Sequence, residues 1–159
     1  MHNVLILCTG NSCRSIIGEA LLNHLGTGRF RAWSAGSQRT GQVNPGALAI
    51  LQEHGVATAG YYSKSWDSLS DTPFDLVITV CDNAAGEACP LFSGKALKAH
   101  WGIADPAHVD GSAEEIHAAF AKAYEQLHRR IDKLLALPLE SLDENALRTA
   151  LNLIGSETP

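Results

Sequence analysis

The chain has no long apolar run. Its first, VLIL at 4–7, is far too short for a signal core or a membrane span, and no basic stretch follows Met1. It has no basic excess either: 12 Lys and Arg against 17 Asp and Glu leave a formal charge of −5. That argues against a nucleic-acid surface, although a local basic pocket remains open. No glycines form G-x-G-x-x-G and none precedes Lys-Ser/Thr, so a dinucleotide loop and a P-loop are both excluded. Neither pair of cysteines has C-x2-C spacing and no histidine cluster flanks them, which argues against structural zinc. Internal repeats and low-complexity tracts are also lacking. The expectation is a cytoplasmic protein without membrane or nucleic-acid partners.

What is present suffices for one domain. With 159 residues, 45% of them apolar and 18% charged, the chain can bury a sizeable core. Four cysteines, at 8, 13, 81 and 89, are not needed as staples at this length. In a reducing compartment they read as buried, metal-binding or redox-active.

Apolar patterning predicts alternating strands and helices. His2 to Leu7, Arg29 to Ser34, DLVITV at 75–80 and LKAHW at 97–101 read as strands, the first and third apolar on both faces. Residues 15–25 read as a helix closed by Gly26, with Ile16, Ile17, Ala20, Leu21, Leu22 and Leu25 inward. Asn44-Pro45 caps and starts a second helix, closed by Gly55. Ser112 and Glu115 fit a capping box for a long helix to about 136, with Ile116, Ala119, Phe120, Ala123, Leu127, Ile131, Leu134 and Leu135 at helical spacing. Pro138 stops it. Ser141 and Glu144 fit a cap for a last amphipathic helix carrying Leu142, Ala146, Leu147, Ala150, Leu151 and Ile154. This order predicts an α/β three-layer sandwich with a parallel sheet of about four strands, flanked by helices. The expected division is a domain at 1–137 and a C-terminal extension at 138–159.

The segment CTGNSCRS at 8–15 joins the first strand to the first helix. In a parallel sheet, ligands bind beyond the carboxyl ends of the strands. The helix start has unpaired N–H groups and a positive dipole end. Thr9, Gly10, Asn11 and Ser12 are small or turn-competent, so their amides can curl inward as an anion nest with those of Cys13, Arg14 and Ser15. Arg14 adds a planar fork of donors matched to a tetrahedral oxyanion. The same field lowers the pKa of the Cys8 thiol and makes it nucleophilic.

VLILCTGNSCRS resembles the active-site opening of the low-molecular-weight protein tyrosine phosphatase family. The likeness extends over roughly 3–135 and leaves the last helix unexplained. It implies a nucleophile at Cys8, an anion clamp at Arg14 and a general acid at Asp105, in ADPA at 104–107. It also implies that Asn11 shapes the loop and that Ser15 hydrogen-bonds the thiolate. Ala107 and His108 stand where phosphatases of the family carry tyrosine after Asp-Pro, so the platform for a phosphotyrosine ring is missing.

Within that family the chain is similar to the arsenate reductase branch. VITVCDNAAGEACP at 77–90 and AHWGIADPA at 99–107 carry this likeness. It implies that Cys8 attacks arsenate, that Cys81 then resolves the adduct with release of arsenite, and that Cys89 passes a disulfide to an external donor. Thioredoxin and glutathione with glutaredoxin are both compatible donors, because Cys89 lies one position further from Cys81 than in thioredoxin-coupled members. Phosphate or sulfate would compete for the cradle. Cys13 reads equally as a structural thiol or as a protective partner of Cys8. Asn11, Glu19 and Ser34 match positions that hold potassium in some reductases of the branch; Glu19 alternatively reads as a solvated or loop-bracing carboxylate. His100 and Trp101 are candidates for the site entrance, although His100 on a strand reads more simply as structural, and Trp33 and Trp66 are packing residues. The competing functions are a phosphatase for tyrosine or small esters, and a noncatalytic oxyanion-binding regulator. The acid at Asp105 argues against the last.

Overall fold

Val4, Leu5, Ile6 and Leu7 are consecutive and all buried, which places their strand, β1 (His2–Leu7), at the centre of a sheet covered on both faces. A computed structural model describes residues 2–8, 13–36, 41–65, 69, 73–80, 97–103, 106 and 109–156. Over these, β1 is followed by α1 (Arg14–Leu25), β2 (Phe30–Ala35), α2 (Pro45–Glu53), β3 (Leu76–Thr79) and β4 (Leu97–His100). A long α3 (Ala113–Leu135), a 3-10 turn (Leu139–Ser141) and α4 (Glu144–Ser156) follow. No described helix is long and apolar enough to cross a membrane.

All four strands are parallel, in the order β2-β1-β3-β4. The register puts Leu7 opposite Ala35 on one side and Thr79 on the other. The chain therefore moves from β1 to one side, then returns to β1's other side with β3. That reversal is a switch point, and it leaves a crevice beyond the carboxyl end of β1. The predicted four-stranded α/β architecture is the one observed, with strand ends shifted by a residue.

Helix α1 is buried on nearly every side, including Ser15, Gly18 and Glu19. Gly18 permits its close approach to the sheet: a Cβ there would stand 3.1 Å from Ile6 Cδ1. The helix begins at Arg14, with Cys13 as its first flanking residue, and ends where the Gly26 N–H donates to the Leu22 carbonyl. Helix α2 opens on Asn44, whose side chain accepts from the Gly46 N–H at 2.8 Å.

The predicted capping box of α3 forms: the Glu115 N–H donates to Ser112 Oγ at 3.2 Å, and the Ser112 N–H to Glu115 Oε1 at 3.4 Å. Ile116 departs from the expected stripe, being exposed. The first turns of α3 stand clear of the core, and the first side chain to enter it is Phe120, against Gly46. The cap of α4 also differs. Ser141 is taken up in the 3-10 turn, and Asp143 accepts from the Ala146 N–H at 2.7 Å instead. Leu151 and Ile154 are buried, while Ala146 is exposed, so only the second half of α4 is anchored in the core.

Candidate active site

Cys8 leaves β1 at the switch point, its N–H still bonded to the Ala35 carbonyl at 3.2 Å. Cys8 and Cys13 are both buried thiols. Thr9, Gly10, Asn11 and Ser12, which the sequence assigns to the anion nest, lie outside the described residues. Arg14 opens α1 and Ser15 follows it fully buried, so the helix start faces the crevice beyond β1. The orientation is the one in which a helix dipole favours an anion.

The guanidinium of Arg14 reaches across to the chain after β4: Nη1 donates to the Ile103 carbonyl at 2.9 Å. That chain is itself tied to β3. The Trp101 N–H donates to the Thr79 carbonyl at 2.7 Å, and the Ile103 N–H to the Val80 carbonyl at 3.0 Å. Val80 in turn donates its N–H to the Leu7 carbonyl at 2.9 Å. Three segments thus converge: the end of β1, the residue after β3 and the stretch 101–103. Cys81 is the next residue after Val80, and Asp105 is the second after Ile103; both lie outside the described residues, as does Cys89.

Two buried charges near this edge escaped the sequence reading. Arg130, on α3, donates from Nη1 to the Gly102 carbonyl at 3.0 Å, and burial holds its pKa below the usual guanidinium value. A signal for it existed: position 130 lies three after Leu127 and four before Leu134, within the apolar stripe. Lys64 had none, since it stands in a loop among serines and tyrosines.

Lys64 completes a buried polar cluster. Ser34 Oγ donates to Glu19 Oε1 at 2.5 Å, and Lys64 Nζ lies 3.7 Å from the same oxygen. The ammonium also donates to the Tyr62 carbonyl at 3.1 Å. Desolvation raises the Glu19 pKa, opposed by the charge of Lys64 and the bond from Ser34. Desolvation lowers the Lys64 pKa, opposed by Glu19. Glu19 and Ser34 are therefore brought together as the sequence suggested, with a lysine ammonium beside them; Asn11 is outside the described residues. Glu19 is not solvated. Among the described residues no group of three His, Cys, Asp or Glu is placed to hold a metal.

Trp101 does not line an entrance. It is 1% exposed and its indole N–H donates to the Leu151 carbonyl at 3.0 Å, so it packs under α4. His100 Nδ1 pairs with Thr79 Oγ1 at 2.8 Å, a structural contact across β3 and β4. Trp33 packs edge-on to Phe74, as expected of a packing residue, and Trp66 is outside the described residues.

A doubly flanked parallel sheet, a cysteine at its switch point and an arginine at the following helix start define a class: an α/β domain of the cysteine-phosphatase type. Residues 3–148 match the sequence profile of the low molecular weight phosphotyrosine protein phosphatase family, and the chain belongs to that family. Among its relatives, an arsenate reductase of Bacillus subtilis is 35% identical over 133 residues, covering 82% of this chain and 94% of that protein. A solved arsenate reductase in its phosphate-binding state superposes with a TM-score of 0.65 at 26% identity, covering 84% of this chain and 98% of the other. A thioredoxin-dependent arsenate reductase of Corynebacterium glutamicum superposes at 0.64 with 26% identity, over 85% of this chain and 60% of that one.

Proposed function

We propose that the chain reduces arsenate to arsenite by a thiol relay. The observation that carries this reading is the bond from Val80 to Leu7: it ties the residue before Cys81 to the residue before Cys8. A phosphatase reaction uses one thiol; a second cysteine that follows the neighbouring strand in sequence suits a redox step. The similarity to curated arsenate reductases over most of the chain supports the same choice.

In this reading the Cys8 thiolate attacks arsenic, while Arg14 and the amides of Thr9, Gly10, Asn11, Ser12, Cys13, Arg14 and Ser15 hold the oxyanion. Asp105 protonates the leaving oxygen, which departs as water. The Cys81 thiolate then attacks the sulfur of Cys8. The arsenic–sulfur bonding pair stays on arsenic, As(V) becomes As(III), and arsenite leaves as a Cys8–Cys81 disulfide forms. Cys89 attacks Cys81, returning Cys8 as thiolate and leaving a Cys81–Cys89 disulfide for an external thiol donor. Thioredoxin is supported by the C. glutamicum neighbour; the longer Cys81–Cys89 separation keeps glutathione with glutaredoxin as its competitor. Lys64 supplies the positive charge beside Glu19 that potassium would otherwise bring.

A single-turnover assay tests this. Reduced protein mixed with arsenate and no donor is expected to release one arsenite and lose two thiols per chain, with little release from Cys81→Ser. The yield should be the same in sodium as in potassium buffer. No arsenite from reduced wild type sinks the reductase reading, and ester hydrolysis surviving Cys81→Ser then favours a phosphatase using Cys8, Arg14 and Asp105.

A further inference from the structure

The second half of α4 ends against the segment that leads from β4 toward Asp105. Leu151 and Ile154 are buried, and the Leu151 carbonyl accepts the Trp101 indole N–H at 3.0 Å. Gly155 is the point of closest approach. A Cβ there would overlap the His100 carbonyl and stand 2.6 Å from Trp101 Cδ1, so only glycine lets the helix seat this deeply.

From Trp101 the chain runs two residues to Ile103, whose carbonyl receives Arg14 Nη1. Between them the Gly102 carbonyl receives Arg130 Nη1. This stretch is irregular, held on one side by Thr79 and Val80 and backed at Trp101 by α4. The B. subtilis relative is matched over 94% of its length by only 82% of this chain, so this chain carries length beyond that relative.

We propose that α4 is a positioning element for the oxyanion site: Leu151 and Gly155 fix Trp101, and the segment 101–103 so held orients Arg14 through the Ile103 carbonyl. The inference rests on the reading that Arg14 clamps the oxyanion. Arg14 is the planar donor in that reading, and its fork must match the anion's geometry. A displacement of about 1 Å at such a contact is enough to lose much of the binding. Leu151, Gly155 and Trp101 touch no reacting atom; they act through Arg14.

The test uses the reduced, full-length protein and three variants. Trp101→Phe keeps an aromatic side chain while removing the indole N–H and some buried volume; Gly155→Ala inserts one methyl group into the contact. Leu139→Ala weakens a buried site in the 3-10 turn, on the hollow lined by Leu76, Leu97 and Leu147. Affinity for inorganic arsenate and phosphate is read by calorimetry, the pH dependence of Cys8 alkylation by peptide mapping, and Tm alongside. Trp101→Phe and Gly155→Ala are expected to weaken anion binding about tenfold and to move the Cys8 alkylation midpoint to higher pH. Leu139→Ala is expected to lower Tm at least as far and leave both unchanged. Wild-type affinity in the first two variants, or equal weakening in Leu139→Ala, overturns the positioning role. A wild type that binds neither anion overturns the oxyanion reading, and the inference with it.

Discussion

At the carboxyl edge of the sheet, charged side chains are drawn inside: Glu19, Lys64 and Arg130 are each at most 7% exposed, and Arg14 bonds across to Ile103. At the amino edge the charged groups stay out. His2 meets Glu140 on the surface, Asp75 accepts the Asn3 N–H, and between them an open hollow of about 310 Å³ is lined by Leu76, Leu97, Leu139 and Leu147. The same strands run through both edges, so strand chemistry does not explain the contrast. Burying a charge costs free energy that well-packed apolar residues would not. A domain selected for stability alone would resemble its amino edge at both ends. The buried charge is concentrated at the edge with the cysteine and the helix start, the edge to which the proposed reaction assigns the chemistry.

That contrast can be broken by substitution. The largest effect is expected from Arg14→Lys, which keeps the charge and loses the planar fork. Arsenate kcat/KM should fall by about 10²- to 10³-fold, the scale of removing one well-placed oxyanion donor, with Tm little changed. An undiminished kcat/KM would mean that Arg14 serves only to hold Ile103.

Lys64→Met comes next. It strands Glu19 in the interior and should cost about 2 kcal/mol at neutral pH, read from urea unfolding. Adding Glu19→Gln should recover most of the loss. The sign with pH follows from the direction of the Glu19 shift. Its folded pKa is raised above 4.5, so the native state binds this proton more readily than the unfolded chain. The contribution is fully present below the unfolded pKa and disappears as pH rises through the folded one. The deficit of the Lys64→Met variant should therefore shrink as pH is lowered from 7 toward 4.5. A deficit that does not change with pH would remove Glu19 from the account.

The smallest effect belongs to the amino edge. His2→Ala removes the partner of Glu140, whose carboxylate is held below its usual pKa by a backbone N–H and by His2. Both groups are at the surface, so Tm and arsenate turnover should stay within error. A loss of turnover here would erase the distinction between the two edges.

Much of this was legible from residue order. Apolar runs on both faces announced β1 and β3, and the Ser112–Glu115 pair announced the start of α3, because these signals depend on near neighbours. Ile116 misled for the same reason: its spacing is helical, but whether a helical face is covered depends on what packs there, and residues 113–118 are exposed. Asp143 displaced Ser141 as the cap of α4 because a 3-10 turn took up the serine first. The lysine on Glu19 was invisible, since residues 19, 34 and 64 meet only once β2 and the chain after α2 are in place. Cys8 and Arg14 could be singled out as candidates because the loop joining strand to helix is contiguous. The support behind Arg14 was not, because Ile103, Trp101 and Leu151 reach it from distant parts of the chain.

Gly18 has a consequence for what the cradle can tell apart. The gap between α1 and β1 is set by its missing side chain, with Ile6 pressed against the bare backbone. Since Cys8 follows β1 and Arg14 begins α1, that gap also sets the bore between the two residues that the proposed reaction uses as nucleophile and clamp. Arsenate and phosphate differ chiefly in bond length, so in the proposed reading any preference between them is metered from behind, by a contact that no anion touches.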